Sequence, residues 1–371
     1  MTPVTRIAVL ISFSGEGGVE RMVLNLIEGF AARGVQVDLL AIRADSAHLG
    51  ALPDGVRLID LGVRHSGLAV WPLARYLRRE RPAALLAAKD RAIRAAVLAR
   101  ALARSTVRIV GRLGTNLSAA LEGRSGAERW LRVAPMRKLY RAVDCVVCVS
   151  EGVLEDTVRL SGMARARLRV IRNPVLTPRL HAMAAEAVAH PWANDASVPL
   201  VLGAGRLTEQ KDFPTLVRAF AQLRRERPAR LVILGEGRHR ERLQALAEEL
   251  GVAADFDLPG FTPNPYAWMA RARLFVLSSA WEGSPNVLTE ALALGVSSVA
   301  TDCPSGPREV LDGGRFGELV PVGDAAALGA AMLRTLDAPL PPQLLQGAVT
   351  AYNRDAAAAA YLDALGVAAD A

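Results

Sequence analysis

Cysteine is scarce in this sequence, three in 371 residues, which is too few for a disulfide framework. Cys145 and Cys148 form a C-V-V-C string, but it lies inside the apolar run from Val143 to Val149. A redox or zinc site would want an exposed turn there, so the pair reads as packed strand cysteines. Histidine is nearly as sparse: His48, His65, His181, His190 and His239 are scattered without ligand spacing, and no metal site and no cofactor are expected. Lysine is reduced to Lys89, Lys138 and Lys211, and arginine carries the remaining positive charge. No charge-free apolar run reaches the ~18–20 residues that span a bilayer. The most apolar region, Pro82 to Ala103, is broken by Lys89, Asp90, Arg91, Arg94 and Arg100. Ile7 to Ile11 is too short for the core of a signal peptide. Helix-turn-helix, zinc-finger and RNP-like strings are missing too, which excludes nucleic acid as the expected partner. These absences point to a cytoplasmic protein, peripheral on the inner face of the cell membrane.

What is present is an α/β rhythm, stated twice, in a chain long enough for two domains. Arg6 to Ser12 reads as a buried strand, Gly15-Glu-Gly-Gly18 as a glycine loop, Val19 to Ala32 as an amphipathic helix and Val35 to Leu40 as a second strand. That is a βαβ unit of parallel-sheet type. Glu20 stands where a dinucleotide fingerprint would place its third glycine, so an oxidoreductase reading ranks low. Further strands are expected at 56–59, 84–87, 107–110 and 145–149. Val170-Ile-Arg-Asn-Pro-Val175 closes the first half. The rhythm restarts with a strand at 198–202. The expected organisation is an N-terminal domain at 1–173, a linker at 174–197, a C-terminal domain at 198–350 and a terminal helix at 351–371.

One stretch organises the second half. The apolar run Arg273 to Leu277 reads as a buried strand, and Gly283-Ser284-Pro285 turns the chain into a helix stopped by Gly295. Glu282 sits in the loop and Glu290 within the helix. Between them the backbone N–H groups of Asn286, Val287 and Leu288 are helix-terminus donors suited to phosphate. A carboxylate that can grip a diol, an anion site and a second carboxylate together suit a nucleoside diphosphate joined to a sugar. Upstream, Arg206 and Lys211 lie in G-R-L-T-E-Q-K-D on a strand-to-helix loop, where a basic pair neutralises a leaving diphosphate. Asp212 is expected to cap the following helix.

The string E-G-S-P-N-V-L-T-E-A, with Glu282 and Glu290 eight apart, resembles the signature of glycosyltransferase family 4, retaining enzymes of the GT-B fold. The resemblance is strongest from Gly203 to Val322 and also covers G-R-L-T-E-Q-K-D and Gly17-Gly18-Val19-Glu20-Arg21. It implies two doubly wound Rossmann-like domains facing across a cleft, with the donor on the second and the acceptor on the first. It further implies Glu282, Arg206 and Lys211 as the catalytic set. On the donor side it implies Glu290 at the ribose, with Gly283, Ser284, Asn286, Val287, Leu288, Gly205, Phe261, Gly17 and Gly18. Many members carry a histidine after a central strand of the first domain. Gly111 to Ser118 occupies that place here without one, and Thr115 or Asn116 is the candidate substitute on the acceptor side. The implied activity is transfer of a hexose or N-acetylhexosamine, with retention and without a metal, from a nucleotide-diphosphate sugar, a UDP-sugar first, to a glycan or polyprenyl-diphosphate-linked acceptor in surface-polysaccharide assembly. A sugar-nucleotide epimerase and a non-catalytic sugar-nucleotide-binding subunit are the alternatives.

Charge is uneven along the chain. Up to Asn173 there are 28 basic and 15 acidic residues, a net +13, and the remainder carries −5. Arg75 to Arg81 and Arg124 to Arg141 hold dense clusters, the second interleaved with Trp130, Leu131, Val133, Leu139 and Tyr140. Basic residues beside apolar ones suit an anionic membrane surface, although solvated arginines on an ordinary amphipathic helix would look the same.

Overall fold

A computed structural model describes residues 5–13, 18–44, 49–50 and 52–367. The chain divides into two compact units, Met1–Val175 with Tyr352–Ala371, and Leu176–Ala351.

Unit 1 holds seven strands: β1 (Arg6–Phe13), β2 (Gln36–Ala44), β3 (Val56–Asp60), β4 (Ala84–Ala88), β5 (Arg108–Leu113), β6 (Cys145–Cys148) and β7 (Leu168–Val170). They pair in parallel in the order β3-β2-β1-β4-β5-β6-β7. The order reverses between β1 and β4, which makes the sheet doubly wound, and its ligand crevice lies beyond the strands' carboxyl ends at that point. Its helices are α1 (Gly18–Ala31), α2 (Val70–Glu80), α3 (Asp90–Ala103), α4 (Leu117–Ala120), α5 (Gly126–Leu139) and α6 (Glu151–Ser161). β1 is apolar on both faces because both are covered: Ala8 and Leu10 join the core under α2 and α3, and Ile7, Val9 and Ile11 join the core under α1.

Unit 2 repeats the plan with α7 (Arg179–Ala184), β8 (Leu200–Ala204), α8 (Phe213–Glu226), β9 (Arg230–Leu234), α9 (Arg240–Glu249), β10 (Phe256–Gly260), α10 (Pro265–Met269), β11 (Leu274–Leu277), α11 (Asn286–Ala293), β12 (Ser298–Thr301), α12 (Pro307–Val310), β13 (Glu318–Val320), α13 (Ala325–Asp337) and α14 (Pro342–Ala348). Its parallel sheet runs β10-β9-β8-β11-β12-β13, with the reversal between β8 and β11. The alanine-rich α15 (Arg354–Leu365) belongs to unit 1 and packs on α1. Small side chains let the two helices approach closely: a Cβ on Gly29 would lie 2.7 Å from Ala358 Cβ. Asn25 Nδ2 donates to Pro174 O (2.9 Å) and Val175 N–H to Tyr352 O (3.0 Å), which fastens the 170–175 segment to the same face.

The expected strands are present with shifted ends. The strand expected at 198–202 is Leu200–Ala204, and the one expected at 107–110 extends to Leu113. The 174–197 stretch carries the short helix α7 and a 3₁₀ turn at Pro191–Asn194, with Leu180 and Val188 buried. Cys145 and Cys148 are free, buried and assigned to opposite faces of the unit 1 sheet, in keeping with strand packing. Among the described residues no helix is long and apolar enough to cross a membrane.

Candidate active site

Three loops at the carboxyl ends of neighbouring strands β8, β11 and β12 build the unit 2 site. The first, after β8, leaves the sheet at Gly205, and the aliphatic stem of Lys211 lies over that glycine. A Cβ there would come within 2.8 Å of Lys211 Cε. The loop tightens into a 3₁₀ turn at Glu209–Lys211 and enters α8 through Asp212, whose backbone is left-handed (φ 42°). Asp212 occupies the cap position, but its carboxylate accepts from the Thr215 hydroxyl (2.6 Å) rather than from a backbone N–H, so the expected side-chain cap is not made.

The second loop, after β11, is stapled to the first. Ala280 N–H donates to Gln210 O (2.8 Å), Gln210 Nε2 to Trp281 O (3.1 Å) and Ser278 Oγ to Lys211 O (2.7 Å). These bonds bring Lys211 to Glu282. Lys211 Nζ lies 2.5 Å from Glu282 Oε1, and the same oxygen accepts from Ser279 Oγ (2.7 Å). Both side chains are largely buried, 15% exposed for Lys211 and 8% for Glu282. Arg206 is exposed, with Nη2 3.4 Å from Gln210 Oε1. The expected basic pair is therefore one cation already matched by a carboxylate and one facing solvent.

α11 begins at Asn286, with Pro285 at its cap. Leu288 N–H donates to Pro285 O (3.1 Å), a 3₁₀-type bond that tightens the first turn. Of the three backbone donors expected for phosphate, this one is engaged inside the helix. Asn286 and Val287 are half-buried at the helix start. Glu290 is fully buried one turn further on. Gly283 and Ser284 are buried, and Ser284 Oγ has no hydrogen-bond partner among the described residues.

The third loop, after β12, was missing from the expected site. Ser305 and Gly306 have positive φ (66° and 92°), and a Cβ on Gly306 would lie 2.6 Å from Pro285 Cδ and 3.1 Å from Gly283 O. Cys303 sits beside them, 3% exposed; burial, and then the negative charge of Glu282, push its thiol up to about 12. The P-S-G-P string was a visible signal of a tight turn, but its target, the Gly283–Pro285 loop, was not. Phe261 is exposed just beyond β10, at the edge of the sheet away from β11.

In unit 1, Gly17 lies outside the described residues and Gly18 is exposed at the start of α1. Thr115 is exposed beyond β5. Asn116 is buried, and its carboxamide oxygen accepts from Ala119 N–H (3.0 Å) as the cap of α4, so that oxygen is already engaged.

Two doubly wound parallel units of this kind define the GT-B class. A profile described as Glycosyltransferase Family 4 matches residues 16–179, and one described as Glycosyl transferases group 1 matches residues 198–338. The chain belongs to this family of glycosyltransferases. It is similar to the lipopolysaccharide core biosynthesis glycosyltransferase LpsE of Rhizobium meliloti, 29% identical over 378 residues that cover 95% of this chain and 97% of that one. It is also similar to the N-acetylgalactosamine-N,N'-diacetylbacillosaminyl-diphospho-undecaprenol 4-alpha-N-acetylgalactosaminyltransferase of Campylobacter jejuni. That match is 35% identical over 184 residues, 50% of this chain and 48% of the relative, so it spans about half of each. Among solved structures, Anabaena HepE in complex with UDP and glucose superposes with a TM-score of 0.70 at 18% identity, covering 98% of this chain and 96% of that one.

Proposed function

We propose that this chain is a retaining, metal-independent glycosyltransferase of cell-envelope polysaccharide assembly. It moves a hexose or N-acetylhexosamine from a nucleotide-diphosphate sugar, a UDP-sugar first, to a glycan or polyprenyl-diphosphate-linked acceptor. The observation that carries this reading is the buried Lys211–Glu282 contact at the switch point of unit 2, with Arg206 beside it and the start of α11 next to it. It joins a cation for a diphosphate to a carboxylate for sugar hydroxyls in one cradle. The relatives named for lipopolysaccharide core synthesis and for a diphospho-undecaprenol acceptor support the pathway, and the UDP-bound neighbour supports the nucleotide.

In this reading the bond between the anomeric carbon and the β-phosphate oxygen breaks, and the acceptor hydroxyl oxygen bonds to the same face of the sugar. The acceptor's proton passes to the leaving phosphate, so no protein nucleophile is required. Lys211 and Arg206 stabilise the charge that grows on the diphosphate, and pre-placed cations of this kind are strongest where water is excluded. Lys211 has three N–H donors. It can hold Glu282 and a phosphate oxygen together, which fixes the carboxylate against the sugar. Glu290 holds the ribose.

The exposed face of unit 1 supports the membrane part of the proposal. α2, α3 and α5 lie side by side on one face of the sheet. They present Trp71 (72% exposed) and Trp130 (67% exposed) together with Arg75, Arg129 and Lys138. Large apolar side chains left in water beside cations suit the boundary of an anionic bilayer.

The experiment is incubation of the protein with a panel of radiolabelled nucleotide sugars, with and without a lipid-diphosphate acceptor, followed by the anomeric configuration of the product by NMR. An α-product from an α-donor is expected. Inversion at the anomeric carbon overturns retention; epimerised donor, or binding with no turnover under any condition, overturns transfer.

A further inference from the structure

Unit 1 holds a second lysine–glutamate contact, half-buried and placed at its own switch point as Lys211–Glu282 is in unit 2. Lys89 follows β4 directly. Its ammonium donates to Ser12 O at the end of β1 (3.0 Å) and to Glu20 Oε1 on the first turn of α1 (3.1 Å). The Glu20 side chain is 3% exposed, and that of Lys89 is 37% exposed. The pair therefore bridges β1 and β4, the two strands between which the sheet order reverses. Outside the carboxyl ends at such a point is where doubly wound sheets take their ligands.

The backbone of Lys89 is the unusual feature. Its φ is 79° and ψ 146°, close to a region that is populated almost only by glycine. Lys89 N–H donates to Arg112 O (3.0 Å), so the strand-end geometry is fixed from the β5 side. A fold that needed only this turn would be served better by glycine. A lysine held there against its preference is accounted for by its side chain. Two of the three ammonium donors are matched, and the partial exposure directs the remaining capacity outward.

A second cation lies on the neighbouring strand. Arg112, at the end of β5 and paired in register with Ala88, is 2% exposed. Its guanidinium donates to Asn173 Oδ1 (2.6 Å) and has no carboxylate partner among the described residues. Asp90, the next residue to Lys89, is engaged by Arg94 and by the Tyr140 hydroxyl. Among the described side chains here, Lys89 and Arg112 are cations and Glu20 is the carboxylate that Lys89 contacts, and a cation held in the interior is costly without a counter-charge.

We propose that Lys89, held by Glu20, is the anion-contacting residue of the acceptor side and takes an oxygen of a phosphate or diphosphate group carried by the acceptor. The proposal rests on the reading of unit 1 as the acceptor-binding unit. Arg112 reinforces the site from below the surface, and Glu20 positions the ammonium.

The test is calorimetric titration of the full chain with inorganic pyrophosphate while UDP saturates the donor site. Wild type is expected to bind one further pyrophosphate, and Lys89→Met to bind it at least about tenfold more weakly, with UDP affinity unchanged. Should Lys89→Met fold poorly, Lys89→Gly/Glu20→Gln removes the backbone strain and the buried charge together, and it is expected to melt no lower than wild type while losing the same pyrophosphate. Competition then separates the sources: displacement by farnesyl diphosphate assigns the site to a lipid carrier, and displacement by glucose 6-phosphate assigns it to a phosphorylated glycan. Unaltered pyrophosphate binding in the variants, no second equivalent in wild type, or displacement by neither competitor overturns the proposal. Failure of UDP to bind wild type would overturn the donor reading instead. The Lys89 comparison still reads out without UDP.

Discussion

Lys211 Nζ and Glu282 Oε1 lie 2.5 Å apart although the residues are 71 positions apart in the chain. The contact joins the loop after β8 to the loop after β11, so in the proposed donor site geometry and local stability rest on the same two side chains. Removing one partner leaves the other buried and unmatched, which costs about 3 kcal/mol or more. Lys211→Met is expected to lower the melting temperature and to reduce kcat by roughly 10²–10³-fold through lost stabilisation of the leaving group. The double variant Lys211→Met/Glu282→Leu removes both charges and is expected to recover much of the melting temperature and none of the activity. Recovery of both together would mean that the pair is purely structural.

Glu290 and Glu282 are expected to fail differently. Ribose contacts are the same in ground and transition states, whereas contacts to the reacting sugar need not be. Glu290 is fully buried, so the isosteric Glu290→Gln is the cleaner probe than alanine. It is expected to weaken UDP by roughly 1.5–3 kcal/mol, the range for a hydrogen bond to a charged group, with kcat at saturating donor little changed. Glu282→Gln is expected to lower kcat and leave UDP affinity within a few-fold. Calorimetry with UDP and steady-state kinetics read the two quantities separately, and equal UDP affinity in Glu290→Gln and wild type would remove the ribose assignment.

Gly306 keeps the third loop in contact with the second. A side chain there meets Pro285 Cδ at 2.6 Å and must also hold φ at 92°, a left-handed conformation that disfavours any Cβ. Gly306→Ala is expected to displace Gly283–Pro285, at the start of α11. UDP affinity should fall about tenfold at a temperature well below the transition, with a melting temperature lowered by a few degrees for roughly 1–2 kcal/mol of strain. Wild-type UDP affinity in this variant would show that the loop is not part of the donor site.

The three thiols are all held protonated by burial: Cys145 is shifted up, and Cys148 and Cys303 are pushed up to about 12. A thiol raised in the folded state contributes stability that is complete below its unfolded value, near 9. That contribution is lost as pH rises toward 12, because only the unfolded chain then gives up the proton freely. Native protein at pH 8 is expected to leave a thiol reagent unconsumed, although Cys303 adjoins the site, and denatured protein to consume three equivalents. Denaturant midpoints should decline above pH 9. Rapid labelling of Cys303 in the native state would contradict the burial argument.

Much of this site was legible along the chain because its signals are local. The apolar run Leu274–Leu277, the Gly283–Pro285 turn and the glutamates flanking the start of α11 lie within one strand–loop–helix unit, and periodicity reads such units directly. What stayed hidden depends on contacts between distant loops. Nothing near Lys211 indicates that Glu282 neutralises it, and nothing near Gly306 names Pro285 as its neighbour. β7 escaped for a different reason: three residues, Leu168, Arg169 and Val170, paired only to β6, carry too little pattern to stand out from a loop. Lys89 escaped because its significance is a backbone angle that residue type argues against.

If unit 1 meets a membrane as proposed, its exposed tryptophans and its arginines make separable contributions to binding, and that separation is the strongest test of the peripheral-membrane proposal. Cations near an anionic surface contribute about 1 kcal/mol each, and their attraction fades as salt shortens the Debye length from about 10 Å at 0.1 M to about 3 Å at 1 M. Burial of an indole ring at the headgroup boundary is an area effect and is nearly indifferent to salt. Trp130 and Trp71 are exposed on α5 and α2, and Arg129 and Lys138 are exposed on α5. Sedimentation with vesicles is expected to show strong binding to anionic lipid at low salt, weak binding at high salt and little binding to neutral lipid. Arg129→Gln/Lys138→Gln is expected to lower binding only at low salt, by roughly thirtyfold for two charges at about 1 kcal/mol each. Trp130→Ala is expected to lower it by a similar factor at both salt concentrations. These residues belong to unit 1 and none is part of the candidate donor site in unit 2, so transfer to a soluble acceptor analogue should be unchanged in all of these variants. Binding of wild type that ignores both salt and lipid charge would remove the electrostatic account, and a Trp130→Ala variant that binds like wild type would remove the interfacial one.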